Sequence, residues 1–573
     1  MPGASGLSRS GPTSSSARRR AWPLILALPP ALFLLVFFGY PVGSILALGL
    51  APGGVIDPAA VLDVLGRPFV AQVAWFTLWQ ALLSTLLTVG LALPAAYVFA
   101  RFSFPGRRLL GALAIVPFVL PTVVVGAAFL SLLGPRSPLN EWLESVLGVA
   151  RSPLRLEHTI WAILLAHVFY NYAIVLRIVG GVWAQLDPRL TDSARMLGAG
   201  RWAAFREVTW PLLRPAVASA ASIVFLFTFT SFGVILLLGG PRFATLEVEI
   251  YRQTAQLLDL PVAATLSLLQ MGSLLVLLLV YSRYQQRLAV ALRPAPSPTA
   301  RRPRGAGEWL VVGGVLALTA VLLGAPLAAL VERSLAVGGG YGLGNYGALF
   351  GPAQTALFVP PLRAIGNSLV FATAACLVCV VLGLLASTVI ARRRGRAGLA
   401  FDALLMLPLG TSAVIVGFGF IVGFGALGGS LPFDLRTSPL LIPLAHALVA
   451  LPFVVRAVTP VMRSIDGRLR EAAAVLGASP ARAWREVDLP LVGRALLVGG
   501  GFAFAVSLGE FGATLFIARP DAPTMPLAIF RLLSQPGALA FGQAMAMSVL
   551  LMAVTAAAVL LIDRFRSAAA GQF

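Results

Sequence analysis

Long apolar runs alternate with short polar stretches over almost the whole chain. Most runs hold about 20 or more residues, the length that lets a helix cross the roughly 30 Å hydrocarbon core of a bilayer. Lipid offers no hydrogen-bond partner to the backbone, so each run is predicted to be a helix. The pattern predicts an all-α polytopic membrane protein with about twelve transmembrane helices. The predicted spans are residues 22–50, 73–100, 109–133, 159–182, 215–238, 263–284, 309–331, 364–391, 399–427, 440–462, 495–518 and 541–562.

Arginine residues gather in every second polar stretch. Membrane proteins keep such residues in their cytoplasmic loops, so these stretches are predicted to be cytoplasmic. Only an even number of spans keeps the alternation in step, and both chain termini are therefore predicted to be cytoplasmic. The arginine-rich stretches contain Arg18–Arg20, Arg101, Arg107, Arg108, Arg189–Arg214, Arg283–Arg304, Arg392–Arg396, Arg463–Arg494, Arg564 and Arg566.

One polar stretch occurs twice. It reads DSARMLGAGRWAAFREVTWPL from Asp192 and EAAAVLGASPARAWREVDLPL from Glu471, with ten identities at a constant separation of 279 residues. The same separation pairs His167 with His446, so the repeat extends beyond this stretch. Six spans return the chain to the same side of the membrane, which makes the two halves a parallel repeat. An internal duplication explains this pattern.

The repeat and the composition of the polar stretches divide the chain into four parts. Residues 1–20 are rich in Ser, Gly and Pro and are predicted to be a disordered tail. Residues 21–286 form the first predicted domain, with its repeated polar loop at 187–212. A Pro- and Arg-rich linker at 287–307 leads to the second domain at 308–566, whose repeated polar loop is 466–491.

Each repeated loop is predicted to fold as two short helices joined at a glycine. Asp187 followed by Pro188 is a start signal, because an aspartate caps free N–H groups and proline fits the first helical position. Asp466 holds the same place in the second copy. Gly198 and Gly477 are predicted to end the first helix, where a left-handed backbone favours glycine.

The two short helices are predicted to be amphipathic. Residues at i, i+4 and i+7 form an apolar stripe, which consists of Leu190, Ala194 and Leu197 in one copy and Leu469, Ala473 and Leu476 in the other. Pro211 and Pro490 are predicted to end the second helix before the next span. A helix pair that only anchors the loop in lipid headgroups would also be amphipathic. The mixed charges of Arg206-Glu207 and Arg485-Glu486 favour a groove on a soluble protein instead.

The amino-acid composition excludes further classes of protein and of partner. The chain is 58% hydrophobic and 11% charged, whereas a soluble domain carries about 25% charged residues. Its net charge of +21 comes from arginines that flank apolar runs, so no nucleic-acid partner is predicted. Cys376 and Cys379 lie in one apolar run and are too few for a disulfide framework or a zinc site. The sequence has neither a G-x-x-x-x-G-K-[ST] phosphate loop nor an H-E-x-x-H motif, so no catalytic site, metal or bound cofactor is predicted.

The second copy of the repeat resembles the signature loop of ATP-binding-cassette importer permeases. EAAAVLGASPARAWREVDLP follows the pattern E-A-A, three residues, G, then E-x-x-x-P, and the first copy departs at its first two positions but keeps the glycine. Two fused copies in twelve spans resemble the thiamine and ferric-iron branch of these permeases. The stretches that resemble the thiamine permeases most are RFSFPGRR from Arg101, LLAHVFYN from Leu164, SFGVILLLGGPRFATLEVEIYRQ from Ser231 and SLGEFGATLF from Ser507.

The resemblance implies an inner-membrane permease whose two loops dock, as coupling helices, on two separate ATPase subunits that use ATP and Mg. It also implies an extracytoplasmic substrate-binding protein and a substrate that is thiamine or one of its phosphates, with ferric iron as the alternative. A proton-coupled carrier and a polytopic membrane enzyme are the alternatives from other classes. The residues expected at the coupling loops are Asp192, Ala194, Gly198, Arg206, Glu207, Pro211, Glu471, Ala472, Ala473, Gly477, Arg485, Glu486 and Pro490.

Several polar residues inside the predicted spans are candidates for a substrate pathway. Glu510 lies well inside an apolar span, where an ionisable group is costly and therefore a functional candidate. It would meet a cationic substrate such as thiamine, bond to a neighbouring helix, or be wetted at the outer mouth of the pathway. For the paired histidines, hydrogen bonding between helices is favoured over metal binding. The predicted pathway residues are Glu510, Ser231, His167, Asn171 and His446, and the prolines predicted to kink inner helices are Pro94, Pro117, Pro121 and Pro408.

Overall fold

A computed structural model describes residues 25–135, 137–148, 155–288, 300–352, 357–393, 395–426, 435 and 438–570. The predicted tail at 1–20 and most of the predicted linker at 287–307 lie outside these residues. In the described part, eleven helices are long and apolar enough to cross a membrane, and a twelfth span results if one bent helix pair is counted. The predicted all-α polytopic class is confirmed.

The elements of the first half occupy these bounds: Ile25–Leu50 with a π turn at Leu35–Gly39, Pro58–Gly66, Pro68–Arg101, Arg107–Leu113, Val116–Val119, Thr122–Leu133, Pro138–Leu147, Ile160–Gln185, Pro188–Met196, Arg201–Ala204, the π turn Phe205–Thr209, Trp210–Phe229, Gly233–Leu238, Leu246–Ala255 and Leu260–Leu288.

The second half starts with Gly305–Leu335 and a two-residue antiparallel pairing of Ala336–Val337 with Gly340–Tyr341. Its other elements are Gly344–Gly347, the 3-10 turn Ala348–Phe350, Pro361–Arg392, Arg396–Met406, the 3-10 turn Leu407–Gly410, Ala413–Ala426, Leu441–Ser464, Gly467–Val475, Pro480–Ala483, the π turn Trp484–Asp488, Leu489–Gly509, Gly512–Ile517, Met525–Leu533 and Ala538–Ala570.

The third span of each half, predicted at 109–133 and 399–427, is broken at prolines that the sequence predicted to kink inner helices. In the first half a short helix ends at Val119, and Pro121 separates it from the helix that begins at Thr122. In the second half the segments Arg396–Gly410 and Ala413–Gly425 meet at 95°. Proline lacks an N–H group and crowds the preceding turn, so Pro121 and Pro408 account for these breaks.

The fifth span of each half is also broken, at the end far from the polar repeat. The sequence predicted continuous helices at 215–238 and 495–518, but the helices stop at Phe229 and Gly509 and resume at Gly233 and Gly512. After each break the chain forms a further short helix, Leu246–Ala255 in the first half and Met525–Leu533 in the second. We call these two the hairpin helices. Both are largely buried, which apolar periodicity alone did not predict.

The first span of each half packs against the other half. The Tyr40 hydroxyl donates to the carbonyl of Gly423 at 3.0 Å, and the Phe37 ring lies 6.4 Å from that of Phe420. In the seventh span, Thr319 hydrogen-bonds to Tyr172 of the first half at 2.9 Å. The two halves therefore interlock through an exchange of their first spans.

The end of the linker is fixed to the loop after the second span. Ser103 N–H donates to the carbonyl of Arg301 at 2.8 Å, and Arg301 N–H donates to Arg101 at 3.0 Å. The Arg301 guanidinium lies 5.3 Å from the centre of the Phe102 ring and pairs with Glu308 at 2.6 Å. The hydrogen bond that Arg301 donates to Glu308 raises the pKa of the guanidinium and helps to hold the start of the second half in place.

Candidate functional site

The two repeated polar loops fold into matching helix–glycine–helix units. We call residues 187–212 the first knob and residues 466–491 the second knob. Asp187 accepts a hydrogen bond from Arg189 N–H at 2.9 Å, and Asp466 accepts one from its second following residue at 3.0 Å. Gly198 and Gly477 adopt left-handed φ angles of +93° and +83°. Both local predictions, the aspartate caps and the glycine stops, agree with the structure.

The glycine stop brings an apolar tip to the surface of each knob. Leu197 is 90% exposed and Leu476 is 87% exposed, and the preceding Met196 and Val475 are 85% and 88% exposed. The predicted stripe is thus only partly covered by the chain itself, because its last member projects away from the bundle. Large apolar side chains that protrude together in this way mark a surface for a partner.

The predicted charged residues of the knobs lie on the surface. Arg206 and Glu207 form an exposed pair at 3.3 Å. Glu486 pairs with Arg482 at 3.2 Å. Of the other residues predicted at the coupling loops, Ala194 and Ala473 are half-buried. The exposed ones are Asp192, Gly198, Pro211, Glu471, Ala472, Gly477, Arg485 and Pro490.

A contact that the sequence did not predict joins the two helices of each knob. In the second knob, Arg470 Nε donates to both oxygens of Asp488, at 2.8 and 2.9 Å, and the Asp488 side chain is only 4% exposed. The repeat-equivalent residues of the first knob are Thr191 and Thr209, whose hydroxyl groups lie 3.4 Å apart. The same position is therefore held by an ion pair in one knob and by a weak neutral contact in the other.

Pro211 and Pro490 do not end a helix, so that prediction is wrong. The second helix of each knob runs through a π turn, Phe205–Thr209 or Trp484–Asp488, directly into the fifth span. Trp210 N–H bonds to the carbonyl five residues earlier instead of four. The wider turn accommodates the proline, which would otherwise crowd the preceding turn. Each knob is consequently continuous with a membrane-crossing helix.

The paired histidines join the fourth span to the break of the fifth. His167 Nε2 lies 2.8 Å from the hydroxyl of Ser231, and its Nδ1 contacts a hydroxyl of the second span. His446 lies 2.7 Å from Ser507 and 2.8 Å from Thr514. Both side chains are buried. At both positions the histidine hydrogen-bonds to neighbouring segments. This is the role that the sequence favoured over metal binding.

Glu510 is engaged by its own chain. Its Oε1 accepts from Ala513 N–H at 3.0 Å, and its Oε2 accepts from Thr514 N–H at 3.1 Å and from the Thr514 hydroxyl at 2.8 Å. His446 Nε2 lies 3.6 Å from Oε2. The carboxylate thus caps the helix that resumes after the break. Asn171, the other predicted pathway residue, bonds to the carbonyl four residues earlier in its own helix.

Aromatic rings fill the contact between the two halves beside these breaks. Phe232 and its repeat equivalent Phe511 stack at 5.8 Å with an interplanar angle of 25°. Each also contacts a ring of the hairpin helix in its own half, Tyr251 at 5.9 Å or Phe530 at 5.5 Å. Tyr251 reaches Phe516 of the second half at 5.7 Å. We call these five rings the aromatic layer.

Known proteins are similar to this chain in sequence over most of their length. The family described as "Binding-protein-dependent transport system inner membrane component" matches residues 89–290. The thiamine transport system permease protein ThiP of Brucella abortus (strain 2308) is 29% identical over 532 residues, 91% of this chain and 92% of the relative. ThiP of Escherichia coli (strain K12) is 30% identical over 474 residues, 80% of this chain and 83% of the relative.

This chain belongs to the family of binding-protein-dependent transport system inner membrane components. A more distant relative is the ferric transport system permease protein FbpB of Actinobacillus pleuropneumoniae, 25% identical over 510 residues, 86% of this chain and 71% of the relative. The matches to full-length relatives extend over both halves, so this family member is an ABC permease with two fused transmembrane halves. It is a multi-span protein of the membrane, which in bacteria is the inner membrane.

In this permease, several residues that the sequence analysis did not predict as functional are paired by the offset of the repeat. The separation of 279 residues pairs Thr191 with Arg470 and Tyr251 with Phe530. It also pairs Phe232 with Phe511, a correspondence visible in the sequence without any indication that the two rings touch. Among the described residues there is no group of three His, Cys, Asp or Glu side chains that would hold a metal ion.

Proposed function

We propose that this permease is the membrane subunit of an ATP-driven, binding-protein-dependent importer of thiamine or its phosphates. The observation that carries the proposal is the pair of exposed apolar tips at Leu197 and Leu476, repeated once in each half. Two equivalent tips fit two copies of one soluble partner. In this proposal the partner is an ATPase, which binds ATP and Mg, and a groove on its surface takes up each tip.

The continuity of knob and fifth span supports a mechanism for coupling. Each knob runs without interruption into the helix that ends at the break beside the aromatic layer. When the two ATPase subunits approach each other on ATP, they would move both knobs. The rigid helices would transmit this motion to the contact between the halves, so that access alternates between the two sides. A loaded binding protein would deliver the substrate at the side opposite the knobs.

The choice of thiamine rests on the relatives. Proteins named as thiamine permeases match 80–91% of this chain at 29–30% identity, whereas the ferric permease matches at 25%. Ferric iron is therefore the second candidate. The architecture of the chain does not distinguish thiamine from ferric iron, so measurement has to decide between the two substrates.

The test reconstitutes the permease in proteoliposomes with its ATPase and its binding protein. We expect uptake of labelled thiamine that requires ATP, and no comparable uptake of ferric iron. Uptake of ferric iron alone would support the second candidate. Thiamine uptake driven by a pH gradient without the ATPase would support a proton-coupled carrier, and a chemical change in the thiamine recovered would support an enzyme.

A second test concerns the knobs. Replacing Gly477 by Val or Glu486 by Arg should reduce uptake and substrate-stimulated ATP hydrolysis, while the protein still inserts in the membrane and purifies as a stable chain. Full coupling in both variants would exclude the second knob as the docking site.

A further inference from the structure

The hairpin helix of the first half carries a carboxyl group into the contact between the halves. Glu247 is 1% exposed, and Gln270 Nε2 donates to its Oε1 at 3.3 Å. The side chain of Ser412, at the break of the third span of the second half, lies close enough to this carboxyl group to interact with it. A group at this position becomes accessible only when the two halves separate, as alternating access requires.

A second polar atom at the same place has no partner. Gln270 is fully buried, and its Oε1 lacks a hydrogen-bond partner among the described residues. A buried acceptor without a donor is unfavourable, so this atom marks a place where a ligand N–H group would be bound. The carboxyl group of Glu247 and the free acceptor of Gln270 together suit a ligand that carries positive charge and N–H donors.

Aromatic faces adjoin this polar pair. Tyr251 lies four residues after Glu247 and therefore on the same side of the hairpin helix. Its ring contacts Phe232 of its own half and Phe516 of the other half. Aromatic faces attract cations and stack on flat rings. When the halves part, these rings would become the walls of the opening beside Glu247.

The second half lacks the charged group at the equivalent position. The repeat partners of Glu247 and Tyr251 are Pro526 and Phe530. The aromatic character is thus shared by both halves, whereas the carboxyl group belongs to the first half alone. Arg531 of the second hairpin helix interacts with Tyr251, so the carboxyl group and the rings suit a ligand whose cationic part meets Glu247 and whose flat ring meets Tyr251.

We propose that Glu247, Gln270 and Tyr251 form the transient substrate-binding site of the permease, and that this site takes a cationic aromatic ligand such as thiamine. The inference rests on the proposed function. It moves the substrate-facing carboxyl group from Glu510, whose oxygens cap a helix, to Glu247. Glu247 and Gln270 bind the charged and N–H-bearing parts, and Tyr251 contacts a ring face.

Glu249 provides a matched control two residues away. It is also a mostly buried carboxylate of the same hairpin helix, but Gln253 donates to it at 2.7 Å and Arg252 lies 3.7 Å away. Its oxygens are therefore satisfied on the opposite side of the helix. A change of Glu249 to Gln removes one negative charge from the same helix without changing the proposed site.

The experiment uses the full transporter in proteoliposomes and compares wild type, Glu247→Gln, Tyr251→Leu and Glu249→Gln. Two quantities are measured, thiamine uptake and ATP hydrolysis stimulated by thiamine-loaded binding protein. We expect both Glu247→Gln and Tyr251→Leu to lower the thiamine imported per ATP by about tenfold, since each removes a partner of the cation. Their stimulated ATP hydrolysis should stay within about twofold of wild type, and Glu249→Gln should match wild type in both quantities.

The outcomes separate the two proposals. If wild type imports no thiamine, the proposed function fails. If wild type imports thiamine and Glu247→Gln does so equally well per ATP, the site is wrong while the function stands. A parallel loss of uptake and ATP hydrolysis in Glu247→Gln and Tyr251→Leu would also overturn the site, because it would indicate a structural role.

Discussion

Asp488 and Thr209 occupy the same position in the repeat, yet the two knobs use them differently. The buried Asp488 carboxylate receives two hydrogen bonds from Arg470, whereas Thr209 has only a long contact to Thr191. A buried carboxylate that loses its cation keeps the cost of desolvation without the compensating attraction. The second knob therefore depends on one residue pair more strongly than the first.

Replacement of Arg470 by Ala should loosen the second knob by about 1–3 kcal/mol, the usual cost of leaving a buried charged group without its hydrogen bonds. Hydrogen exchange of the amides in residues 466–491 measures this change. The matched control is Thr191→Ala, which should cost about 0.5 kcal/mol or less in the first knob. Equal effects in the two knobs would contradict the assigned difference.

Glu510 has two candidate roles, a contact to a cationic substrate or a structural carboxylate, and they predict different effects of substitution. Replacement by Ala removes the cap of the helix Gly512–Ile517 and should lower the free energy of unfolding by about 1 kcal/mol. Replacement by Gln keeps one oxygen that accepts from a backbone N–H, so most of the stability and of the thiamine uptake should remain. Thermal unfolding in detergent and uptake in proteoliposomes measure the two effects. Abolished uptake in a stable Glu510→Gln variant would restore Glu510 as a substrate contact.

Each knob depends on the left-handed backbone angle of one glycine. Gly198 has a φ of +93°, and a side chain there would be strained. Gly198→Ala should therefore open the junction between the two helices at a cost of about 1–2 kcal/mol. The expected consequence is weaker binding of the ATPase, measured by co-purification, with normal membrane insertion.

Gly200 offers the control for this prediction. It lies two residues away in the same junction, its φ is −62°, and open space surrounds the position of an added Cβ atom. Gly200→Ala should therefore bind the ATPase as wild type does. If Gly200→Ala weakened binding as much as Gly198→Ala, the loss would come from the added methyl group and not from the backbone angle.

At the scale of the whole molecule, the exchange of first spans binds the halves together. In the first half's first span, Tyr40 contacts Gly423 and Phe37 contacts Phe420 of the second half. In the second half's first span, Thr319 hydrogen-bonds to Tyr172 of the first half. Each half alone would leave the partner surface of its first span uncovered. The link between the halves is therefore noncovalent as well as covalent.

Cutting the chain in the linker tests this interlock. Two co-expressed pieces, residues 1–293 and 294–573, should co-purify through a tag on one piece and should import substrate. Each piece expressed alone should be degraded faster than the pair, as measured by pulse–chase. Two pieces that insert stably but never co-purify would contradict the exchange.

The sequence by itself determined the features whose interactions lie within a few residues and the features that recur along the chain. The spans follow from apolar length, the repeat from a constant offset, and the knobs from an aspartate cap and a left-handed glycine. These features need only local hydrogen bonds or transfer into lipid, so the local residue types specify them. Prolines also indicated the breaks in the third spans.

Tertiary structure alone decided which polar and aromatic groups meet. Glu510 turned out to be a helix cap because the chain breaks just after Gly509, and Glu247 reached Ser412 because a hairpin helix folds back between the halves. Pro211 is tolerated because a π turn precedes it. The approach of Glu247 to Ser412 depends on packing between segments far apart in the chain, and a pattern of apolar and polar positions does not specify which segments touch. The cap by Glu510 and the π turn before Pro211 form within a few residues, but they depend on where a helix breaks or widens, which that pattern does not specify either.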